Sequence, residues 1–259
     1  MTSLITNQLE NLQTDAPPAT IERVLVSTGV IDYFAPMSWK HGTLWVSWNG
    51  HGVSCVAPGD DPEPFIDRHA AKVGRHVARS RGVPLRLRDL ISQTISSGRL
   101  GTLRVDLRGV GPFQLDVLTT IQDIPPGELR TYAWVAEHMG RPRAVRAVGS
   151  ALNRNPVPIL IPCHRVGTSD GSVGNYAFGA TMKRTLLADE GLDMQTLDGY
   201  VAAGFRFMGS VNNTVYCFPS CVRARSIHPT NRVMFKSHDA ASDAGYRPCT
   251  VCTPHGSPS

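Results

Sequence analysis

Asn155-Pro156-Val157-Pro158-Ile159-Leu160-Ile161-Pro162-Cys163-His164-Arg165 is the stretch from which the rest of the chain is read. Its prolines cannot continue a helix, and they push the residues before them toward extended backbone. Ile159 to Ile161 is therefore expected as a short buried strand that delivers Cys163 and His164. A thiol near its ordinary pKa is mostly protonated at neutral pH, so a nucleophilic Cys163 needs a base or a positive field. His164 is adjacent in sequence, but neighbours along a strand face opposite ways, so the pair needs a bridging water or a turn just after Pro162. Glu190 is the carboxylate expected to orient His164 in a Cys/His/Glu relay. Taken alone, a Cys-His pair suits a core thiol beside a satisfied histidine equally well.

The surroundings add an anionic partner. Residues 138–169 carry five arginines and no carboxylate, and 201–238 carry five Lys/Arg and no carboxylate, within a chain of 259 residues and net charge +5. Thr131 can cap a helix from Tyr132 to Met139, which Gly140 ends. After Gly140-Arg141-Pro142, a second helix turns Val145, Val148 and Leu152 inward and leaves Arg143, Arg146 and Arg154 nearer the outside. Two short helices joined by a glycine turn suit a helix-turn-helix whose Arg-rich second helix reads DNA. Phe113, Val117, Leu118 and Ile121 mark a preceding helix that stops at Pro125-Pro126-Gly127. Met182, Leu186 and Leu187 mark a later one ending at Glu190-Gly191.

Before this region, Leu44, Val46 and Trp48, then Asn49-Gly50-His51-Gly52, then Val53 and Cys55 read as a hairpin. Phe65, Ile66, Ala70, Val73 and Val77 recur at helical spacing, Leu87 to Ile95 suggests a second helix closed near Gly98, and Leu103, Val105 and Leu107 alternate like a half-buried strand. The expected fold class is α+β: a small α/β amino-terminal subdomain, a helical subdomain with the helix-turn-helix and active-site strand, and a small metal-stabilised module. The boundaries read as a mobile tail 1–20, subdomains 21–104 and 105–192, a linker 193–204, and the module 205–259. A hydrophobic content of 41% is enough for a real core. No apolar run spans a bilayer and the first twenty residues lack a signal pattern, so no membrane partner is expected and the chain is read as cytoplasmic and nucleoid-associated, or nuclear if eukaryotic.

Arg143-Ala144-Val145-Arg146-Ala147-Val148-Gly149, the opening stretch through Val166, Gly174-Asn175-Tyr176, Gly111-Pro112-Phe113-Gln114 and Thr131-Tyr132 together resemble the O6-alkylguanine-DNA alkyltransferase family, over about 105–192. The resemblance implies a single-turnover repair protein that flips an alkylated guanine from duplex DNA and moves the alkyl group to Cys163, with O4-alkylthymine as a related substrate. It implies that Arg146 fills the vacated space, with Arg143 and Ala147 beside it on the DNA. Tyr132 assists rotation of the base and donates a proton toward the leaving guanine, and Asn155 braces the turn before Cys163. Backbone groups at Cys163 and Val166 read the guanine edge, and Tyr176, Ala177 and Phe178 line the pocket. Phe178 is bulkier than the small residues common there, so methyl is expected over benzyl, with Phe178→Gly increasing reaction with O6-benzylguanine.

Cys217-x3-Cys221 and Cys249-x2-Cys252, twenty-seven residues apart, have the spacing of a four-thiolate Zn2+ site; His228, His238 and His255 are spare ligands or surface residues. No organic cofactor is expected. Tyr216-Cys217-Phe218-Pro219-Ser220-Cys221 with Gly245-Tyr246-Arg247-Pro248-Cys249-Thr250-Val251-Cys252 resembles the zinc module of the bacterial adaptive-response alkyltransferase. That resemblance implies Cys217 as a second methyl acceptor, from DNA phosphotriesters, with Arg225 and Arg247 as phosphate contacts. The rival readings are a non-catalytic zinc-containing damage sensor and a cysteine hydrolase. Monomeric binding to double-stranded DNA is the simplest expectation.

Overall fold

The computed structural model describes residues 17–254. Helix α1 (Pro18–Ser27) starts on a proline, which suits a first helical turn, so the tail expected over 1–20 gives way to helix at 18, and residues 1–16 lie outside the described part. The helix carries no apolar stripe to read: Ile21 and Val24 are exposed and Val26 alone is buried.

Strands β1 (Asp32–Trp39), β2 (Gly42–Asn49) and β3 (Gly52–Pro58), helix α2 (Pro62–Lys72), β4 (Val77–Arg79) and helix α3 (Leu85–Ser97) follow. The sheet runs β3-β2-β1-β4, with β4 parallel to β1 and the rest antiparallel. The hairpin and the helix closed by Gly98 (φ +65°) lie where the sequence pattern expects them, but the first helix ends at Lys72, and Val77, expected on its face, opens β4 opposite Asp32. Strand β1 is hidden from that pattern by Pro36. It tolerates the proline because β4 pairs only as far as Phe34, leaving that side of Pro36 without a ladder partner in the sheet.

Leu103, Val105 and Leu107 do not form the expected strand. The segment meets the sheet at one residue: Val53 N–H donates to Arg104 O (2.9 Å) and Asp106 N–H to Val53 O (2.7 Å). Gly52 permits the crossing, since a Cβ there would sit 2.3 Å from Arg104 O. Asp106 is instead drawn into a buried network that clamps this subdomain. Asn49 Nδ2 donates to Asp32 Oδ1 (2.6 Å) and Asp106 Oδ2 (2.7 Å), Arg75 Nη2 donates to Asp32 Oδ2 (3.1 Å) and Asp106 Oδ2 (2.9 Å), and His69 Nε2 lies 2.7 Å from Asp32 Oδ2.

Burial pushes the Asp32 carboxyl up, but hydrogen bonds from His69, Asn49, Ser54 and Arg75 override it and hold the pKa at about 2, against 3.8 for the free group. A depressed carboxyl stabilises the fold fully above its unfolded value and ceases to do so as pH falls through its folded value. Asp32 is thus expected to contribute about 2 kcal/mol that is lost between about pH 4 and pH 2. Denaturant unfolding followed across that window checks this, and Asp32→Asn should reduce the pH dependence by that amount.

The second half contains α4 (Pro112–Thr120), β5 (Arg130–Thr131), α5 (Tyr132–His138), α6 (Val145–Asn153), β6 (Val166–Gly167), α7 (Gly179–Asp189) and α8 (Met194–Ala202). Strands β5 and β6 pair in parallel. Thr131 Oγ1 accepts from Trp134 N–H (3.0 Å) as the expected cap of α5, and Gly140 makes the turn toward α6 with φ +69°. The segment expected as a linker is largely helical. Asp193 caps α8 by accepting from Thr196 N–H (3.0 Å), and Leu197 packs with Leu129, Val173, Leu187 and Leu192.

The last part forms a second sheet from β7 (Phe207–Ser210), β8 (Asn213–Cys217), β9 (Arg232–Phe235) and β10 (Arg247–Pro248), ordered β10-β8-β7-β9, with short helices α9 (Val222–Arg225) and α10 (His238–Asp243). One apolar core runs from Leu44 and Val46 through Ile161 and Trp134 to Tyr216 and Cys252, joining all three parts. Among the described residues, no helix is long and apolar enough to cross a membrane.

Candidate active site and metal centre

The strand expected at Ile159–Ile161 is a turn. Ile159 takes φ +77°, rare for a β-branched residue, and Ile161 N–H returns to Val157 O (3.0 Å). The buried backbone needs no neighbouring strand because the Asn155 side chain serves it. Its Oδ1 accepts from Val157 N–H (3.0 Å), while Nδ2 donates to Ile161 O (3.0 Å) and reaches Cys163 Sγ (3.3 Å). Asn155 thus lies where a brace is expected. Cys163 then opens a single 3-10 turn, Cys163–Arg165, so it and His164 do not sit on opposite faces of a strand.

Cys163 is 6% exposed and contributes to the wall of a cavity of about 380 Å³, with Tyr132, Gly149, Asn153, Tyr176 and Ala177 among its neighbours there. His164 Nε2 lies 2.9 Å from Glu190 Oε1, the pairing expected from sequence. Glu190 also accepts from Arg165 Nη2 (2.7 Å) and from Gly127 N–H (2.9 Å), and Arg165 donates onward to Ile124 O (2.8 Å) and Gly98 O (2.8 Å). Arg165 is 1% exposed, so Glu190 neutralises a fully buried guanidinium as well as orienting the imidazole.

The protonation states follow from these surroundings. Burial raises the Cys163 thiol, and the Asn155 hydrogen bond with the charges of Lys183 and Arg68 only partly offsets that, so the resting group is a thiol. Burial lowers His164 against the opposing pull of Glu190, so the imidazole is neutral. With Nε2–H donating to Glu190, Nδ1 is the free lone pair, and it is buried without a protein partner. Burial raises Tyr132, and the nearby Cys163 adds to this, which keeps its hydroxyl protonated.

Lys183 is the residue that sequence reading misses. It is fully buried, donating from Nζ to Val166 O (2.5 Å) and Asn175 O (3.2 Å), and burial lowers its pKa to about 8. Its signal is present: Lys183 stands three and four residues before Leu186 and Leu187, on the helix face that must be buried. It ties the strand after Cys163 to the cavity wall at Asn175. Lys183→Met is expected to destabilise the fold by about 1–3 kcal/mol, by leaving the Val166 and Asn175 carbonyls unpaired, and denaturant unfolding measures it.

Two pocket expectations change. Val166 N–H turns to Cys163 O and its carbonyl is held by Lys183; Val166 is buried and does not line the cavity. Phe178 is not in the lining either. Its ring packs edge-on to Tyr176 (5.5 Å) and under the Arg68 guanidinium of α2 (4.6 Å), because the amino-terminal subdomain gives it an apolar seat beside Phe34 and Phe65. It therefore props Tyr176 from behind instead of narrowing the mouth. Arg143, in the 3-10 turn Pro142–Ala144, and Arg146 and Ala147, at the start of α6, are all exposed.

Cys217, Cys221, Cys249 and Cys252 come together as expected, each at most 3% exposed and with sulfurs all within 4.8 Å of one another. None is in a disulfide. A tetrahedral Zn2+ with sulfur at about 2.3 Å sets sulfurs roughly 3.8 Å apart, so the group fits that ion. His228 bonds Thr230 and His238 bonds Tyr216, so neither is a ligand, and His255 lies outside the described residues. Arg225 and Arg247 are exposed, with Arg225 Nη1 donating to Gly191 O (3.1 Å).

Residues 112–192 match the DNA-binding domain of 6-O-methylguanine DNA methyltransferase, and 199–255 match the metal binding domain of Ada. A methylated-DNA–protein-cysteine methyltransferase of Shigella flexneri is 40% identical over 130 residues, covering 49% of this chain and 74% of that protein. The chain belongs to the methylated-DNA–protein-cysteine methyltransferase family. Another member, from Methanosarcina barkeri, is 49% identical over 92 residues, covering 35% of this chain and 58% of its own length. This chain therefore spans less than two thirds of that relative. The solved O6-methylguanine-DNA methyltransferase of Pyrococcus kodakaraensis superposes with TM-score 0.51 at 25% identity, covering 62% of this chain and 99% of that one. A methyltransferase fold thus covers about three fifths of the chain, with its DNA-binding part at 112–192 and the Ada-type module after it at 199–255.

Proposed function

We propose that this chain removes a methyl group from O6 of guanine in duplex DNA by accepting it on Cys163, once per molecule. The observation that carries the reading is a buried thiol in the wall of a cavity with room for a base, beside a His164–Glu190 pair and a Tyr132 hydroxyl, on the subdomain that exposes Arg143 and Arg146. The target carbon lies within the base stack, so the guanine must be extruded; Arg146 fills the gap and Arg143 and Ala147 abut the backbone. The neutral His164, its Nδ1 free, takes the thiol proton through a water, and Glu190 stabilises the imidazolium. The Cys163 sulfur then bonds to the methyl carbon as the carbon–O6 bond breaks, and the Tyr132 hydroxyl protonates the departing guanine. The His164 imidazolium then returns its proton through water to the Tyr132 phenolate, so the net proton lost from the thiol is the one gained by the base, and the thioether has no base-catalysed return. O4-alkylthymine presents the same alkyl–oxygen bond and falls within this reading. One chain holds every group required, in keeping with action as a monomer.

In the carboxy-terminal module the four cysteines would hold Zn2+, which when bound keeps their sulfurs ionised. Cys217 is the least buried of them at 3%, so it is the one to examine as a second acceptor, from phosphotriesters. Incubation with methylated duplex DNA followed by mass mapping of all cysteines tests both ideas. Methyl on Cys163 supports guanine repair, and none there leaves the damage-sensor reading. Methyl on Cys217 adds the phosphotriester.

A further inference from the structure

Segment 127–134 lies between the two cysteine centres, and its successive residues are tied to one or the other. Gly127 N–H donates to Glu190 Oε2 (2.9 Å), on the carboxylate that holds His164. Glu128 Oε1 accepts from Val222 N–H (2.9 Å), one residue after Cys221. Leu129 is bound through both backbone groups to Ser220, one residue before Cys221: its N–H donates to Ser220 Oγ (2.9 Å) and its carbonyl accepts from that hydroxyl (3.0 Å). Arg130 and Thr131 pair with Val166 and Gly167, just past the active-site turn. Thr131 caps α5, whose first residue is Tyr132. Two residues on, Trp134 Nε1 donates to Cys252 O (3.0 Å) and Thr253 Oγ1 (2.9 Å). The Arg130 guanidinium lies between the rings of Trp134 (5.6 Å) and Phe218 (5.5 Å), the latter directly after Cys217.

The module's side of this seam is thus built from metal-ligand residues and their immediate neighbours. Glu128, Leu129 and Ser220 are at most 6% exposed, so water cannot take over the bonds if the partners part. On the other side, the segment holds the Tyr132 hydroxyl by the cap of its helix and the Glu190 carboxylate by the Gly127 amide.

We infer that the four-cysteine centre positions Tyr132 and Glu190 for reaction at Cys163. A filled metal site fixes the Ser220–Val222 and Cys252–Thr253 loops, these fix 127–134, and that segment sets the hydroxyl and the carboxylate. The inference rests on the proposed transfer to Cys163. It makes Trp134 and Ser220 positioning residues, since neither borders the cavity.

The test uses the full chain loaded with Zn2+, the same protein stripped by a chelator, and loaded Trp134→Phe and Ser220→Ala variants. Amide hydrogen exchange over 127–135 and the single-turnover rate of methyl appearance on Cys163 are both read. Stripping is expected to speed exchange in 127–135 and slow transfer about tenfold, the scale of a misplaced catalytic group. Each variant, with metal content unchanged, should do the same about two- to fivefold. If stripping unfolds the chain, the loaded variants still decide. Wild-type exchange and rate in both variants overturn the inference, as does faster exchange confined to 205–254. Loaded wild type that gains no methyl on Cys163 sinks the proposed reaction instead, and the exchange measurements then judge the seam alone.

Discussion

Cys163→Ser is expected to take up no methyl at position 163 while keeping its fold, its DNA binding and its metal. Serine is nearly isosteric and the residue is 6% exposed, so little packing is lost. The chemistry fails for a reason visible in the site. Among the described residues the sulfur has one side-chain donor, Asn155, and meets no base directly, since His164 engages Glu190 through Nε2 and leaves Nδ1 unpartnered. A thiol can be deprotonated through a water by a neutral imidazole, whereas an alcohol, far less acidic, gives almost no anion under the same arrangement. The rate is expected to fall on the order of 10⁶-fold, the scale of removing a nucleophile from a working relay. Mass spectrometry of the whole protein after incubation with an O6-methylguanine duplex reads the methyl. Zinc content and thermal unfolding should match wild type, because Cys163 is not one of the clustered cysteines. Uptake of methyl at the wild-type rate would place the acceptor elsewhere, with Cys217 next to be mapped.

The residues that sequence reading brings to this site are those whose chemistry is carried by spacing. Four cysteines at their separations imply a closed metal site, and a Cys-His pair after a proline-bounded apolar run implies an ordered thiol. What spacing does not carry is the side chain that replaces a backbone partner. Ile159–Ile161 reads as a strand because it is apolar and β-branched, but Asn155 supplies the hydrogen bonds a neighbouring strand would have given. Lys183 reads as a polar helix position, though burial and two carbonyls make it part of the site. Phe178 reads as a pocket residue until α2 is seen to supply Arg68 above its ring. The seam is invisible for a further reason: Leu129 and Ser220 meet across 91 residues, a pairing no local pattern encodes.

Glu190→Gln is expected to be the most destabilising single change in the active-site region. The carboxylate accepts from His164 Nε2, from Arg165 Nε and Nη2, and from Gly127 N–H. A glutamine offers one acceptor oxygen, and its amide hydrogens point at groups that are themselves donors. Arg165, 1% exposed, is left as an uncompensated buried charge, which costs about 3–5 kcal/mol. Burial by itself would raise the Glu190 carboxyl, but the hydrogen bonds and charges of His164 and Arg165 hold its pKa at about 2, against 4.5 for the free group. Because the folded value is the lower one, this stabilisation is complete above pH 4.5 and is lost as pH falls through about 2; the difference corresponds to about 3 kcal/mol. Wild type should therefore weaken over that window, and Glu190→Gln should weaken less by about that amount, keeping only the fall due to groups such as Asp32, when denaturant unfolding is followed from pH 6 to pH 2. A second substitution separates fold from chemistry. Arg165→Met combined with Glu190→Met removes both charges together, so stability should recover toward wild type, while transfer to Cys163 stays low because nothing orients the His164 imidazole. Recovery of the transfer rate in that double variant would show that Glu190 serves only to neutralise Arg165.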